Sequence, residues 1–368
     1  MSAEDNLRLN VLLANAKAIR INESKMTVHG LTGNGEASIA LQPTGNEDRY
    51  LRLVRELLAT HALSSPRGYP VFLRRWTRLH RLDTDRLEPL LMLGEPEAVV
   101  AVSGASSITV ELAERAWWAL PESEVARFLL AQKCVAGSKL GKELAAHLLE
   151  FLPFETEHAD IIETVRLISP KGLIAEADLL RLWRRGTRKT SYLTGFLLGR
   201  RDDLPESPPA NPALGSASKF AQAQPDNPLL ASLCKVLTEQ GQNVLATCRN
   251  ILGRPASHEA VVGTLAALQA YLELPDLRVR ACASHEEIKA ILQAMRNGHD
   301  AFSATLGAAT RDERLEAKLT ALLTLALSGE PLVRGYFARS TAVGSLMRKQ
   351  LSPILKPVER SLETLLSQ

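Results

Sequence analysis

The sequence predicts a mainly α-helical chain: an irregular helical repeat of HEAT-like hairpins, a small β-hairpin at its N-terminal end and a helical bundle at its C-terminal end. Three observations carry that expectation. Aromatic residues make up only 5% of the chain while Leu, Ala and Glu abound, and unbranched side chains keep most of their rotamer freedom on a helix. Apolar residues recur at helical spacing along most of the length. Proline and glycine fall mostly between the periodic segments, where they punctuate helices, rather than inside them. With 45% hydrophobic and 23% charged residues the chain has enough apolar mass to fold. Its 368 residues correspond to about two domains.

The elements follow in order. Residues 3–16 carry Leu7, Leu9, Val11, Leu12 and Leu13 and read as a short helix. The period then drops to two: Ile19 and Ile21, Met26 and Val28, and Ala37, Ile39 and Leu41 alternate with polar residues, and Gly33-Asn34-Gly35 supplies the positive φ angles of a tight hairpin turn. Two or three strands cannot stand alone in water, so a helix must cover Met26, Val28, Ile39 and Leu41. From Glu47 the helical period resumes with Leu51, Val54, Leu57, Leu58 and His61 on one stripe. Helix pairs follow, broken at Leu93-Gly94-Glu95-Pro96-Glu97, Leu120-Pro121-Glu122 and Leu152-Pro153-Phe154-Glu155, where proline and acids suit the first turn of a new helix.

Between Leu204 and Pro228 the prolines are dense enough to predict an extended, solvated linker. Beyond it one long helix is expected from Leu229 to Gly253, with further starts near Ser257, Ser284 and Thr310, and a last helical stretch over residues 330–366. Ser284 with Glu287 and Thr310 with Glu313 have capping-box spacing. The expected domains are therefore residues 1–46, 47–204 and 229–368, with 205–228 as the joint, and protease is expected to cut there.

The net charge of +3 arises from nearly balanced acids and bases, so any polyanion site must be a local patch. The first residues lack the basic and apolar regions of a secretory signal, and a cytoplasmic location is expected. No apolar run reaches the roughly 18 residues of a membrane span, and the longest, over 319–327, reads as a core helix. Membrane partners are not expected.

Four cysteines, Cys134, Cys234, Cys248 and Cys282, are scattered without a Cys-x-x-Cys pair. Cys282 and His285 have metal-like spacing, yet reduced Cys among Leu and Val behaves as a small hydrophobe. No metal and no cofactor is expected. Nor does any catalytic motif stand out: Gly-x-Ser-x-Gly, the phosphate loop and His-Glu-x-x-His are all missing.

Two clusters interleave bases with an aromatic residue: Arg74, Arg75, Trp76, Arg78 and Arg81, then Arg181, Trp183, Arg184, Arg185 and Arg188. Such clusters bind phosphates when they share a face, which makes RNA an alternative partner. A charge run on an amphipathic helix is first of all its solvated side. Trp117-Trp118 cannot both point inward from one helix, so Trp118 is a candidate hot spot for a protein partner.

Several stretches resemble one family. They are Arg49-Tyr-Leu-Arg-Leu-Val-Arg-Glu-Leu-Leu58, Gly68-Tyr-Pro-Val-Phe-Leu-Arg-Arg-Trp-Thr-Arg78, Leu93-Gly-Glu-Pro-Glu-Ala-Val-Val100, Ala116-Trp-Trp-Ala119 and Leu152-Pro-Phe-Glu-Thr-Glu157. Together they resemble the DsrS family, soluble proteins associated with the Dsr sulfur-oxidation system and its reverse-acting sulfite reductase. The likeness spans chiefly residues 49–204. It implies a non-enzymatic accessory or regulatory role through protein-protein interaction, with a partner in that system, and carries no catalytic residues over. The chain itself has no iron-sulfur cysteine spacing.

Overall fold

A computed structural model describes residues 1–43, 45–63, 87–297, 305 and 312–368. The chain is mainly helical with a small N-terminal three-stranded antiparallel sheet. It divides into two compact units, Met1–Pro153 and Phe154–Gln368.

In unit 1, α1 (Ala3–Asn15) starts at Ser2, whose hydroxyl accepts the Asp5 N–H at 3.0 Å. It leads directly into a meander of β1 (Ala16–Asn22), β2 (Thr27–Thr32) and β3 (Gly35–Ala40) in the order β1-β2-β3. The register pairs Ile21 with Val28 and Val28 with Ile39, so one face of the sheet is apolar. Leu9, Leu12 and Leu13 of α1 and Tyr50, Leu51, Val54 and Leu58 of α2 (Glu47–Leu63) cover that face together with Met26 and Leu41. The expected helical cover is thus supplied from both sides of the sheet in sequence. A Cβ on Gly30 would stand 2.8 Å from Leu12 Cδ1, which is why glycine occupies the point where α1 crosses β2.

Three local expectations differ. In the hairpin turn the positive φ falls on Gly35 (110°) and not on Asn34, because the Thr32 hydroxyl takes the Asn34 N–H at 3.2 Å and holds the turn in that form. Met26 is not within a strand but sits in the β1–β2 turn at φ 47°. His61 is exposed on α2.

Among the described residues, unit 1 continues with α3 (Leu87–Leu90), α4 (Pro96–Ser103), α5 (Val110–Ala119), α6 (Ser123–Leu130), α7 (Lys133–Ala136) and α8 (Lys139–Phe151). The breaks at Gly94-Pro96 and Pro121 fall where expected, with Pro96 in the first turn of α4. Helix α5 packs against β1, on the side from which Arg20 projects.

Unit 2 contains α9 (His158–Ile168), α10 (Glu176–Gly186), α11 (Thr190–Arg200), α12 (Leu214–Gln222), α13 (Pro228–Leu237), α14 (Glu239–Gly253), α15 (His258–Leu272), α16 (Pro275–Val279), α17 (His285–Asn297), α18 (Glu313–Leu327), α19 (Glu330–Phe337) and α20 (Gly344–Leu366). Helix α11 lies close along α9, and α14 and α18 both pack on α20. A Cβ on Gly195 would meet Val165 Cβ at 2.6 Å, and one on Gly199 would meet the Arg166 carbonyl oxygen at 2.4 Å. Two glycines four residues apart therefore let α11 approach the α9 backbone.

The domain boundaries differ from those expected. Residues 154–204 pack with the C-terminal helices, and the division falls at Pro153 rather than in 205–228. The proline-rich stretch is not an extended linker: it contains α12, and Asn211, 4% exposed, donates its backbone N–H to the Leu237 carbonyl at 2.9 Å and its side-chain amide to the Leu365 and Ser367 carbonyls at 3.1 and 3.0 Å. Its prolines stand outside α12 or, at Pro228, in the first turn of α13, where a missing N–H costs no hydrogen bond.

The expected long helix over 229–253 is broken at Thr238, whose hydroxyl accepts the Gly241 N–H at 3.1 Å. At Ser284 the hydroxyl accepts the Glu287 N–H, but the Glu287 carboxylate reaches back to the Ala283 N–H. Helix α18 is capped by Asp312, which accepts from Arg314 and Leu315, whereas Thr310 lies outside the described residues. Among those residues no helix is long and apolar enough to cross a membrane.

Candidate functional site

The sheet alternates faces, so the residues opposite the core in unit 1 include Arg20, His29 and Glu36. Arg20 and His29 are register partners on neighbouring strands. The Glu36 carboxylate gathers them: Arg20 Nη2 donates to both oxygens at 2.9 and 3.0 Å, and His29 Nδ1 lies 2.7 Å from Oε1. The other ring nitrogen of His29 is 3.0 Å from the Thr27 hydroxyl.

Helix α5 completes the cluster. Trp118 donates its indole N–H to Glu36 Oε2 at 3.1 Å, and the Arg20 guanidinium carbon stands 4.8 Å from the centre of the Trp118 ring. Burial pushes the Glu36 carboxyl up, but hydrogen bonds from Arg20, Trp118 and His29 outweigh it and hold the group below the ordinary carboxylate range. Arg20 is therefore tied at once to a carboxylate and to an aromatic face.

Trp117, the preceding residue, points elsewhere. Its indole N–H donates to Glu143 Oε1 at 2.9 Å, and its ring meets His147 edge-on at a centroid distance of 4.9 Å. His147 in turn stacks on Phe151 at 4.4 Å. Glu143, His147 and Phe151 recur every four residues along α8 and share one stripe. Burial pushes the His147 imidazole down, with Glu150 acting against it to a lesser degree, so the ring is held toward its neutral form.

Both tryptophans line a cleft of about 450 Å³ together with Arg20, Pro121, Lys139 and Glu143. A second depression of about 710 Å³ shares Arg20 and Pro121 and runs along residues 21–25. Neither tryptophan belongs to the buried core. A pair of half-exposed indoles beside an arginine and a proline presents flat apolar faces whose polar edges are already oriented.

The other expected residues are distributed differently. Arg74, Arg75, Trp76, Arg78 and Arg81 lie outside the described residues. In unit 2, Trp183 is buried and packs edge-on against Phe196 at 5.3 Å. Arg184 holds Glu206 at 2.7 Å, Arg181 pairs with Asp178, and Arg185 and Arg188 are exposed. Arg181, Arg184 and Arg185 form the solvated side of α10, and Arg188 lies in the turn after it.

Cys282 and His285 do not converge: Cys282 Sγ lies 3.4 Å from the Arg280 carbonyl and His285 Nε2 lies 2.6 Å from that of Ile354. Among the described residues no group of three or more His, Cys, Asp or Glu is placed to hold a metal ion. Burial pushes the Cys248 thiol up to about 12, as for a hydrophobe on α14.

Sequence reasoning missed Arg20, Glu36 and Glu143. The signal for them was indirect: Trp117-Trp118 implied one outward indole, Trp118, whose N–H needs an acceptor, whereas Trp117, expected against the core, is half-exposed as well. It also missed Ser191, whose hydroxyl lies 2.9 Å from His158 Nδ1. That residue is 2% exposed, so a substrate does not reach it without movement of the helices. Compared with known proteins, the chain matches no family model, no curated protein and no solved structure.

Proposed function

We propose that the chain is an accessory binding protein that engages a protein partner through the Trp117–Trp118 cleft of unit 1, without chemistry of its own. One observation carries this reading: two consecutive, half-exposed tryptophans, each with its indole N–H held by a glutamate, flank a cleft that Arg20 and Pro121 continue along the sheet. Oriented aromatic and arginine groups at a concave surface are the anchors that dominate protein interfaces. The sequence resemblance to the DsrS family supports a partner in the sulfur-oxidation system, and the first residues, unlike a secretory signal, support a cytoplasmic setting.

A photo-crosslinker at Lys139, on the rim of the cleft, is expected to capture one defined partner from cells growing on reduced sulfur, and Trp117→Ala with Trp118→Ala is expected to abolish the capture. Unchanged crosslinking in the double variant, or unaffected growth on sulfur after deletion, overturns the reading. The RNA alternative has less support, since Trp183 lies in the core and Arg184 is engaged by Glu206.

A further inference from the structure

Among its described residues, unit 1 contains the same tryptophan–glutamate arrangement twice, once with an arginine and once without. In both, an indole N–H of α5 donates to a glutamate, from Trp118 to Glu36 at 3.1 Å and from Trp117 to Glu143 at 2.9 Å. A cation completes the first pair: Arg20 lies over the Trp118 ring at 4.8 Å and reaches both oxygens of Glu36. The second pair has no cation in that position among the described residues. Glu143 is exposed and accepts the indole N–H, leaving lone pairs free on a charged group.

The surroundings favour a cation there. Glu114, one turn before Trp117 on α5, is exposed and lines the same cleft. Lys139 also lines it and precedes Glu143 by four residues, the orientation that pairs less well on a helix, and it makes no ion pair with Glu143 among the described residues. His147, against the Trp117 ring, is held toward neutral and adds no competing charge.

We infer that Trp117 and Glu143 form an open seat for an arginine side chain of a protein partner, which repeats there what Arg20 does on Trp118 and Glu36. Arginine is favoured over lysine because a flat guanidinium stacks on an indole and still bonds a carboxylate edge-on, as Arg20 does within the chain. The inference rests on the partner-binding reading above and specifies the chemistry of the partner.

The test uses the full chain with N-acetylargininamide as probe and the citrulline analogue, which keeps the shape without the charge. The four tryptophans yield separate indole N–H signals, assigned through Trp→Phe variants. The expected result is a saturable shift of the Trp117 signal with the arginine probe alone, the Trp118 signal staying in place because Arg20 already occupies it. Glu143→Gln retains an oxygen for the Trp117 N–H and removes only charge, so it is expected to fold and to weaken the probe about 5-fold or more.

Absence of a saturable shift at Trp117, equal binding of the citrulline analogue, or unchanged affinity in Glu143→Gln overturns the inference. If a partner is captured through the cleft while the probe fails, partner binding stands and the arginine seat falls. If the probe binds while no partner is captured, the seat stands and the partner-binding reading falls.

Discussion

The two units handle polar groups in opposite ways. In unit 1 the buried polar side chains among the described residues are Asp5 and Ser103, while the network of Arg20, His29, Glu36 and the two tryptophans sits at the surface. Unit 2 takes polar groups inside, among them Thr194, Asn211, Gln242, Thr264, Gln269 and Lys318. Each of these has a partner, as Lys318 shows by donating to the Thr364 and Ser367 carbonyls at 3.0 and 2.8 Å. Interior polar groups with partners fix the register of helices, whereas surface groups held in place remain available to a second molecule. The difference separates a region ordered by interior hydrogen bonds from one whose polar network lies at its surface.

The largest expected effect is at Lys318. Its ammonium gathers the last carbonyls of α20, joined there by Asn211 and Gln242, and Lys318→Ala strands them and leaves a cavity. Chemical denaturation is expected to show a loss of about 4 kcal/mol. Burial, then Arg314, pushes the Lys318 amine down from 10.5, so the unfolded chain binds this proton more tightly. The cost of burying the charge is fully present below the folded value and is relieved as pH rises through it toward 10.5. Stability relative to Lys318→Met is therefore expected to increase on raising the pH, and a fall would contradict the assignment.

Next is Gly195→Ala, which places a methyl 2.8 Å from the Ile162 carbonyl and against Val165. A loss of about 2 to 3 kcal/mol in thermal or denaturant unfolding is expected, and an unchanged midpoint would mean that α9 and α11 are not in close contact.

Asp5 sharpens the comparison from the other side, because it is the interior polar group of unit 1 that links separate elements. It accepts the Gln42 N–H at 3.0 Å and the Tyr50 hydroxyl. Asp5→Ala is expected to cost about 2 kcal/mol. Burial raises the Asp5 carboxyl, but the bonds from Tyr50, Gln42 and Ser2 and the charge of Arg8 win and hold it below 3.8. Its contribution is present above 3.8 and is lost as pH falls from there through the lower folded value. The stability difference between the native chain and Asp5→Ala should therefore shrink in strong acid, and a constant difference would show that the carboxylate charge contributes nothing.

The smallest effect is expected at the site itself. Glu143→Gln should change the unfolding free energy by no more than about 0.5 kcal/mol, while affecting partner binding. A large destabilisation would move the Trp117–Glu143 pair from the presenting region to the structural one.

Limited proteolysis adds a check on the proline-rich stretch. With Asn211, Asn243 and α12 holding it to unit 2, early cuts are expected outside residues 205–228. Rapid cleavage within it would restore the linker that proline density implied.

Much of unit 1 was legible because its elements are local. The drop of hydrophobic period to two at Ile19, the residues around the Gly33-Asn34-Gly35 turn and the stripe of α2 each depend on neighbours within a few positions. Trp118 was also legible as a residue that could not be wholly buried. Its partners were not: Glu36 stands 82 positions away from it, and Arg20 stands 98.

The sequence by itself determined the helical class, the small sheet, several helix starts and one outward indole, since backbone propensity, capping and side-chain period act over one or two turns. Only the tertiary structure decided that the prolines of 205–228 border a packed helix, that the division falls at Pro153, and that, among the described residues, two tryptophan–glutamate pairs differ by a single arginine. The physical reason is range: a Pro removes a local backbone donor, which ends most helices yet is tolerated at Pro353 and Pro357 inside α20, and a charged side chain acquires its role from groups brought within about 3 Å of it by the fold.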